Sequence, residues 1–131
     1  MPSGLMWGWR MLHPEPPFDE VAKNKKDVAK TNKVLILMTD GDNTKSKGGE
    51  YHSSTDEAEA NETTETLCRS INNDGITVYT IAYDVSDNQT QSLLRKCATD
   101  KDKYFKAKNS KGLVDAFEEI GRSLSQLRFT A

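Results

Sequence analysis

The sequence predicts an α/β fold built on a sheet of parallel strands, and three observations support this class. Short apolar, β-branched segments alternate along the chain with segments whose apolar residues recur every three or four positions. Such alternation is typical of parallel sheets covered by helices. The connections between the strand segments are long enough for crossover helices. With 131 residues, the chain has room for one domain with its own core but not for two.

The chain begins with a predicted helix over residues 1–13, followed by a connector over residues 14–32. Leu5, Trp9 and Leu12 recur at helical spacing, and Pro14 stops the pattern because proline breaks a helix. The connector is rich in proline and then in lysine, with few apolar residues. The remaining residues, 33–131, are predicted to alternate between strands and helices.

The first predicted strand, residues 33–39, ends in a carboxylate that is the first candidate for a functional site. Its apolar run, Val34 to Met38, is followed by Thr39-Asp40-Gly41-Asp42 and by a long loop up to residue 53. Loops of this length in compact domains are usually functional. Ligands of open parallel sheets bind just beyond the carboxyl ends of the strands, so Asp40 is a candidate metal- or phosphate-handling residue.

The second half of the chain repeats the strand and helix pattern. Ser54 and Glu57 fit a capping box at the start of a helix that ends at Asp74-Gly75. A strand follows over residues 76–85, and Asn88 is predicted to cap a short helix that runs to Cys97. A brief strand over residues 104–107 precedes the last helix, whose predicted core stripe is Leu113, Phe117, Ile120, Leu124 and Leu127.

Two cysteines lie on the two helices that connect the strands. Right-handed crossovers put these helices side by side on one face of the sheet, which makes a bond between Cys68 and Cys97 geometrically credible. Two unpaired buried thiols fit the same spacing. The residues alone leave both alternatives open.

Composition restricts the classes of partner. The formal net charge is −2, so no overall basic field favours nucleic acid or an anionic membrane surface. No segment reaches the roughly 18–20 apolar residues that cross a bilayer, and the first residues lack the pattern of a signal peptide. We therefore expect no nucleic-acid partner, and neither a membrane anchor nor a targeting signal within this sequence.

Two hypotheses about function start from the Asp40-Gly41-Asp42 motif alone. An EF-hand is excluded, because its sixth position would be Lys45 instead of glycine and its twelfth Tyr51 instead of glutamate. A haloacid-dehalogenase-like phosphatase would use Asp40 as nucleophile and Asp42 as acid/base partner, with Mg²⁺ on the phosphate. Such enzymes also need a late acidic pair after a strand, and none follows residues 104–107.

A third hypothesis about function rests on residues along nearly the whole chain. The segments that carry it, including Trp7, Trp9 and both cysteines, are residues 4–12, 14, 16–18, 33–41, 43–44, 67–68, 75–85, 94–98, 104–107, 113, 116–117 and 120. In this order they resemble the von Willebrand factor A (vWA) domains of TadG-like proteins of Tad (Flp) pilus assembly. The resemblance implies a Rossmann-like, three-layer fold and a non-catalytic role in binding, adhesion or assembly. It also implies a location in the bacterial cell envelope, outside the cytoplasm, with other pilus assembly or envelope proteins as partners.

The resemblance also assigns a site, which this sequence matches only in part. Such domains carry a metal-ion-dependent adhesion site (MIDAS) for Mg²⁺ or another divalent cation, and Asp40 matches one of its ligands. The surrounding site loop comprises Thr39, Gly41, Asp42, Asn43 and Thr44. The Asp-x-Ser-x-Ser motif that follows the first strand of the family is absent, so we expect weak or no metal binding by this chain alone. An envelope location favours the Cys68–Cys97 disulfide.

The missing motif leads to an expectation about the extent of the domain. Residues 1–131 are expected to form the C-terminal part of a vWA domain whose first strands, remaining metal ligands and membrane anchor are encoded elsewhere. The strand at residues 33–39 would then expose an open edge, which is a template for self-association.

Overall fold

The computed structural model describes residues 1–13, 32–41 and 54–130. Helix α1 spans Pro2–Leu12 and strand β1 Val34–Thr39, and helix α2 spans Ser54–Asn73. Strand β2 covers Thr77–Tyr83 and helix α3 Asn88–Cys97. A 3₁₀ turn at Lys101–Lys103 leads into strand β3, Tyr104–Ala107, and helix α4 covers Ser110–Thr130. Residues 14–31 of the predicted connector and residues 42–53 of the predicted loop lie outside the described residues.

The described strands form one parallel sheet in the order β1-β2-β3, which confirms the predicted α/β class. Val34 pairs with Thr77 and Thr39 with Ala82, while Thr80 pairs with Tyr104. Successive side chains point to opposite faces of the sheet, so each strand contributes to two separate cores. Among the described elements, the sheet is the middle layer between three helices on one face and one helix on the other.

The first face is covered by α1, α2 and α3. Leu35, Leu37, Val78 and Ala82 supply its strand side chains, and all are buried. Helix α1 approaches β1 closely at Gly8, where an added Cβ would lie 3.2 Å from the Leu35 side chain. An alanine at this position would require the end of the Leu35 side chain to move by a few tenths of an ångström.

A disulfide joins two helices of this layer and confirms the bond between Cys68 and Cys97. Cys68 on α2 and Cys97 on α3 have their Cα atoms 5.0 Å apart, and both side chains are buried. The Asn72 amide donates to the carbonyl oxygens of Cys68 at 3.0 Å and Cys97 at 3.2 Å. The Thr99 hydroxyl donates to Asn72 Oδ1 at 2.5 Å and accepts the Val78 N–H at 2.8 Å. The cross-link is thus connected through polar side chains to the start of β2.

The second face is covered by α4, with a packing stripe that differs from the predicted one. Tyr79 and Ile81 pack against Ala116 and Ile120, with Leu113 and Leu124 beside them. Phe117, predicted as core, is 44% exposed, and Leu127 is 39% exposed, so this part of the prediction was wrong. The small Ala116 side chain takes the contact with the sheet, and Phe117 falls on the flank of the helix.

Two boundary residues explain where helices end and begin. Gly75 has a φ of +76°, which suits glycine at the end of α2. Asp87, not the predicted Asn88, is the N-cap of α3, and its carboxylate accepts the Thr90 N–H at 2.6 Å. The backbone decides between these two good capping residues, because Asp87 has the extended φ and ψ of −67° and 126°. Within the described part of the chain, no helix is both long enough and apolar enough to cross a membrane.

Candidate functional site

The candidate site lies at the edge of the sheet where the parallel strands end. Asp40 follows β1 directly and Asp84 follows β2 directly, and both residues are exposed. Because Thr39 pairs with Ala82, these two acidic residues lie just beyond neighbouring strand ends. This is the edge at which ligands of open parallel sheets bind.

The backbone around Asp40 is shaped by the threonine that precedes it. The Thr39 hydroxyl donates to the Gly41 carbonyl oxygen at 3.0 Å, and the Gly41 N–H approaches the same hydroxyl at 3.4 Å. Threonine thus closes a local turn that holds Asp40 at its tip. Of the predicted site loop, Thr39, Asp40 and Gly41 are described, whereas Asp42, Asn43 and Thr44 lie outside the described residues.

The loop after β2 is fixed by several hydrogen bonds. Asp84 has a φ of +51°, a left-handed conformation that aspartate tolerates better than most residues, and its N–H donates to the Ala107 carbonyl at 2.7 Å. The Gln91 amide donates to the Val85 carbonyl at 2.8 Å and accepts from Lys106 Nζ at 3.1 Å. Lys106 therefore helps to hold this loop in place.

Asp87 has a structural role in the same loop. The backbone N–H of Thr90 bonds its carboxylate, and this bond holds the pKa of Asp87 below its usual range. The sequence Asp84-Val85-Ser86-Asp87-Asn88, which looks like a MIDAS motif, is thus the end of a strand followed by a helix cap.

The described residues supply one carboxylate from β1 but not a complete metal site. Mg²⁺ prefers six oxygen ligands in octahedral geometry and usually keeps several waters. Within the described ranges, no group of three or more His, Cys, Asp or Glu side chains comes together as a metal cluster. Asp40 therefore does not make a metal centre with its described neighbours.

A second feature near this site is the outer side of β1, which we call the β1 edge surface. It comprises the unpaired backbone edge of Val34–Thr39 and the side chains of Ile36 and Met38, which are 39% and 50% exposed. Among the described residues, no strand pairs with β1 on this side. Apolar side chains beside a free strand edge are typical of a surface that another protein segment covers.

Sequence reasoning missed one further concave region, a pocket formed by Ser92, Arg95, Lys96, Lys101 and Tyr104. These residues come from α3, the 3₁₀ turn and β3, so no linear motif brings them together. The adjacent Arg95-Lys96 pair is the only trace of this pocket in the linear sequence.

Comparison with known proteins supplies one finding about family. The family model described as the von Willebrand factor type A domain matches residues 18–119, about three quarters of the chain. The matched region contains all three described strands and ends within α4. A search of curated proteins found no significant match.

Proposed function

Because the chain belongs to the von Willebrand factor type A family, we propose that it is a non-catalytic module for protein interaction in adhesion or assembly. More narrowly, we propose that it is the C-terminal part of such a domain in a TadG-like protein of Tad (Flp) pilus biogenesis. The family match over all three strands carries the broader proposal. The narrower one is supported by the tryptophans of α1 and by the paired cysteines, which are among the residues by which the sequence resembles TadG-like domains.

The site of this module is proposed to include Asp40 as one ligand of a divalent cation. Its exposed position directly after β1, at the ligand-binding edge of a parallel sheet, supports this assignment. The other ligands are proposed to come from residues beyond those described. Such a shared site would let metal binding depend on assembly of the complete domain.

The β1 edge surface is proposed as the place where assembly or self-association occurs. An added strand would satisfy the free N–H and C=O groups of β1, and its side chains would cover Ile36 and Met38. Main-chain hydrogen bonds of this kind give affinity, while the alternating side chains give specificity.

An extracytoplasmic location in the bacterial cell envelope is part of the proposal. The Cys68–Cys97 disulfide supports it, because such bonds persist in oxidising compartments and are rare in the cytosol. Blocking of free thiols at the moment of cell lysis, followed by counting of the remaining reducible cysteines, tests this location. Two blocked thiols in freshly lysed cells would contradict it.

Titration with Mg²⁺, followed by NMR of the backbone amides, tests the role of Asp40. We expect weak changes confined to residues near Asp40, and we expect Asp40→Asn to abolish them. Asp84→Asn is the matched control, since it removes one negative charge at the neighbouring strand end and asparagine also tolerates a positive φ. The control should retain the changes near Asp40.

Two results would contradict the proposed function. Tight Mg²⁺ binding by the isolated chain would show that its metal site is complete. Hydrolysis of a generic phosphoester in the presence of Mg²⁺, abolished by Asp40→Asn but not by Asp84→Asn, would identify a phosphatase instead of a binding module.

A further inference from the structure

A pocket on the α3 side of β3 has a composition that neither the family nor the site at Asp40 explains. Its volume is about 390 Å³, and its lining consists of Ser92, Arg95, Lys96, Lys101 and Tyr104. Helix α3 begins beside the carboxyl edge of the sheet and carries Arg95 and Lys96 in its last turn. The pocket is therefore at the far end of α3 from Asp40.

The lining of this pocket has three positive charges and no carboxylate. The guanidinium of Arg95 lies 5.1 Å from the centre of the Tyr104 ring, and among the described residues it has no ion-pair partner. Lys96 contacts Glu65 at 3.3 Å, but its side chain remains 58% exposed. Solvent screening weakens such an exposed pair, so Lys96 keeps most of its capacity to attract an anion.

The acidic residues nearest in sequence to Lys101 are engaged elsewhere. Asp100 and Asp102 both contact Lys103 Nζ, at 2.8 Å and 3.4 Å. These carboxylates, Asp100 first, raise the pKa of Lys103 and so favour its charged form. The charge of Lys101 is thus left without a described counterion next to the pocket.

The ring of Tyr104 forms one wall of the pocket, and the Arg95 guanidinium lies over its face. The hydroxyl oxygen of Tyr104 is buried and has no hydrogen-bond partner among the described residues, so a ligand in the open pocket does not reach it. Tyr104 therefore contributes its ring, not its hydroxyl, to the lining.

Two of the last carbonyl groups of α3 have partners other than these cations. Basic residues often stabilise the last carbonyl groups of a helix. Here the Leu94 carbonyl accepts from the Ala98 N–H at 3.1 Å and the Thr80 hydroxyl at 2.9 Å. The Cys97 carbonyl accepts from the Asn72 amide. Neither of these two carbonyls depends on Arg95 or Lys96, and both charged side chains line the pocket.

We propose that this pocket binds an oxyanion group, phosphate or carboxylate, between Arg95, Lys96 and Lys101, with Arg95 oriented by the Tyr104 ring. Arg95 is expected to contribute most, because its planar guanidinium can bind two oxygens of such a group and is already oriented by the Tyr104 ring. The source of the oxyanion is either a small phosphate compound or an acidic side chain of a partner protein.

Amide NMR of the full chain, titrated separately with inorganic phosphate and with a short glutamate-rich peptide, tests the proposal. We expect saturable changes in residues 92–96 and 101–104 with at least one probe. Saturation by phosphate alone supports a small phosphate ligand, and saturation by the peptide alone supports a carboxylate partner. Arg95→Gln is expected to weaken binding by at least about tenfold, the loss of one charge-assisted contact. Lys111→Gln removes the same charge from an exposed position on α4 and is expected to leave binding unchanged.

Tyr104→Phe separates the role of the ring from that of the hydroxyl. It keeps the ring that orients Arg95 and removes only a buried hydroxyl, so we expect an unchanged or slightly higher melting temperature together with unchanged binding of the probe. Changes that never saturate, or that spread over lysines throughout the chain, would overturn the proposal. Equal losses in Arg95→Gln and Lys111→Gln would overturn it as well.

Discussion

Reduction of the Cys68–Cys97 disulfide is expected to lower the free energy of unfolding by an amount set by the loop that it closes. The two cysteines are 29 positions apart. On the chain-entropy model, closing a loop of this size stabilises the folded state by about 3.6 kcal/mol at 25 °C. Reduction leaves both sulfur atoms in the buried layer between α2 and α3. The difference in the free energy of unfolding between the two redox states therefore contains little contribution from packing. This makes the two redox states a cleaner comparison than cysteine substitutions.

Urea unfolding of the oxidised chain and of the chain in reductant measures this difference. For a dependence on urea of about 2 kcal/mol/M, the midpoint should fall by about 1.8 M. The control is Cys68→Ala/Cys97→Ala, whose midpoint should be the same with and without reductant. Alkylation and mass measurement establish the number of free thiols in each sample. An unchanged midpoint in a chain shown to be fully reduced would refute the loop-closure reasoning.

Three further predictions concern single side chains. Asp87→Ala should lower the free energy of unfolding by about 1 kcal/mol at neutral pH, since it removes the cap on the Thr90 N–H. Because the pKa of Asp87 is lowered in the folded state, this stabilisation is present above its unfolded pKa and is lost as pH falls through the folded pKa. The difference between wild type and variant in urea unfolding should therefore shrink in acid, and a constant difference would contradict the assignment. Thr99→Val should destabilise by about 1–3 kcal/mol, because the Val78 N–H loses its acceptor, and a melting temperature equal to wild type would argue against this role. Ile36→Lys should reduce self-association in light scattering while changing stability little, and unchanged association would remove the β1 edge surface from the proposed interface.

The sequence was most informative where local chemistry alone decides the structure. The apolar run of β1 and the Asp74-Gly75 end of α2 are recognisable without tertiary information, because each depends on a few adjacent residues. Asp87 and Asn88 are equally good caps, so only the backbone conformation distinguishes them. Phe117 was misplaced because helical spacing defines a face but not its centre, and close packing of α4 on the sheet favours Ala116.

The candidate site was predictable only where it follows a strand. The position of Asp40 beyond β1 follows from the apolar run and the Asp-Gly pair. The oxyanion pocket was not predictable, because Arg95 and Tyr104 meet only after α3 has folded back along the sheet. Its three cations come from α3 and the 3₁₀ turn, so their grouping around one pocket is a property of the folded chain alone.

The parallel pairing of β1 with β2 has a consequence for biosynthesis. β1 leaves the ribosome well before β2, since all of α2 must be made between them. At a synthesis rate of about 5–20 residues per second, a few seconds pass between the synthesis of the Val34–Met38 segment and that of its partner strand. During that time its apolar side chains and both of its edges are accessible to chaperones or to other nascent chains. We therefore expect the yield of folded protein on expression to rise with slower translation and with chaperone supply. The stability of the finished fold alone would not predict this dependence.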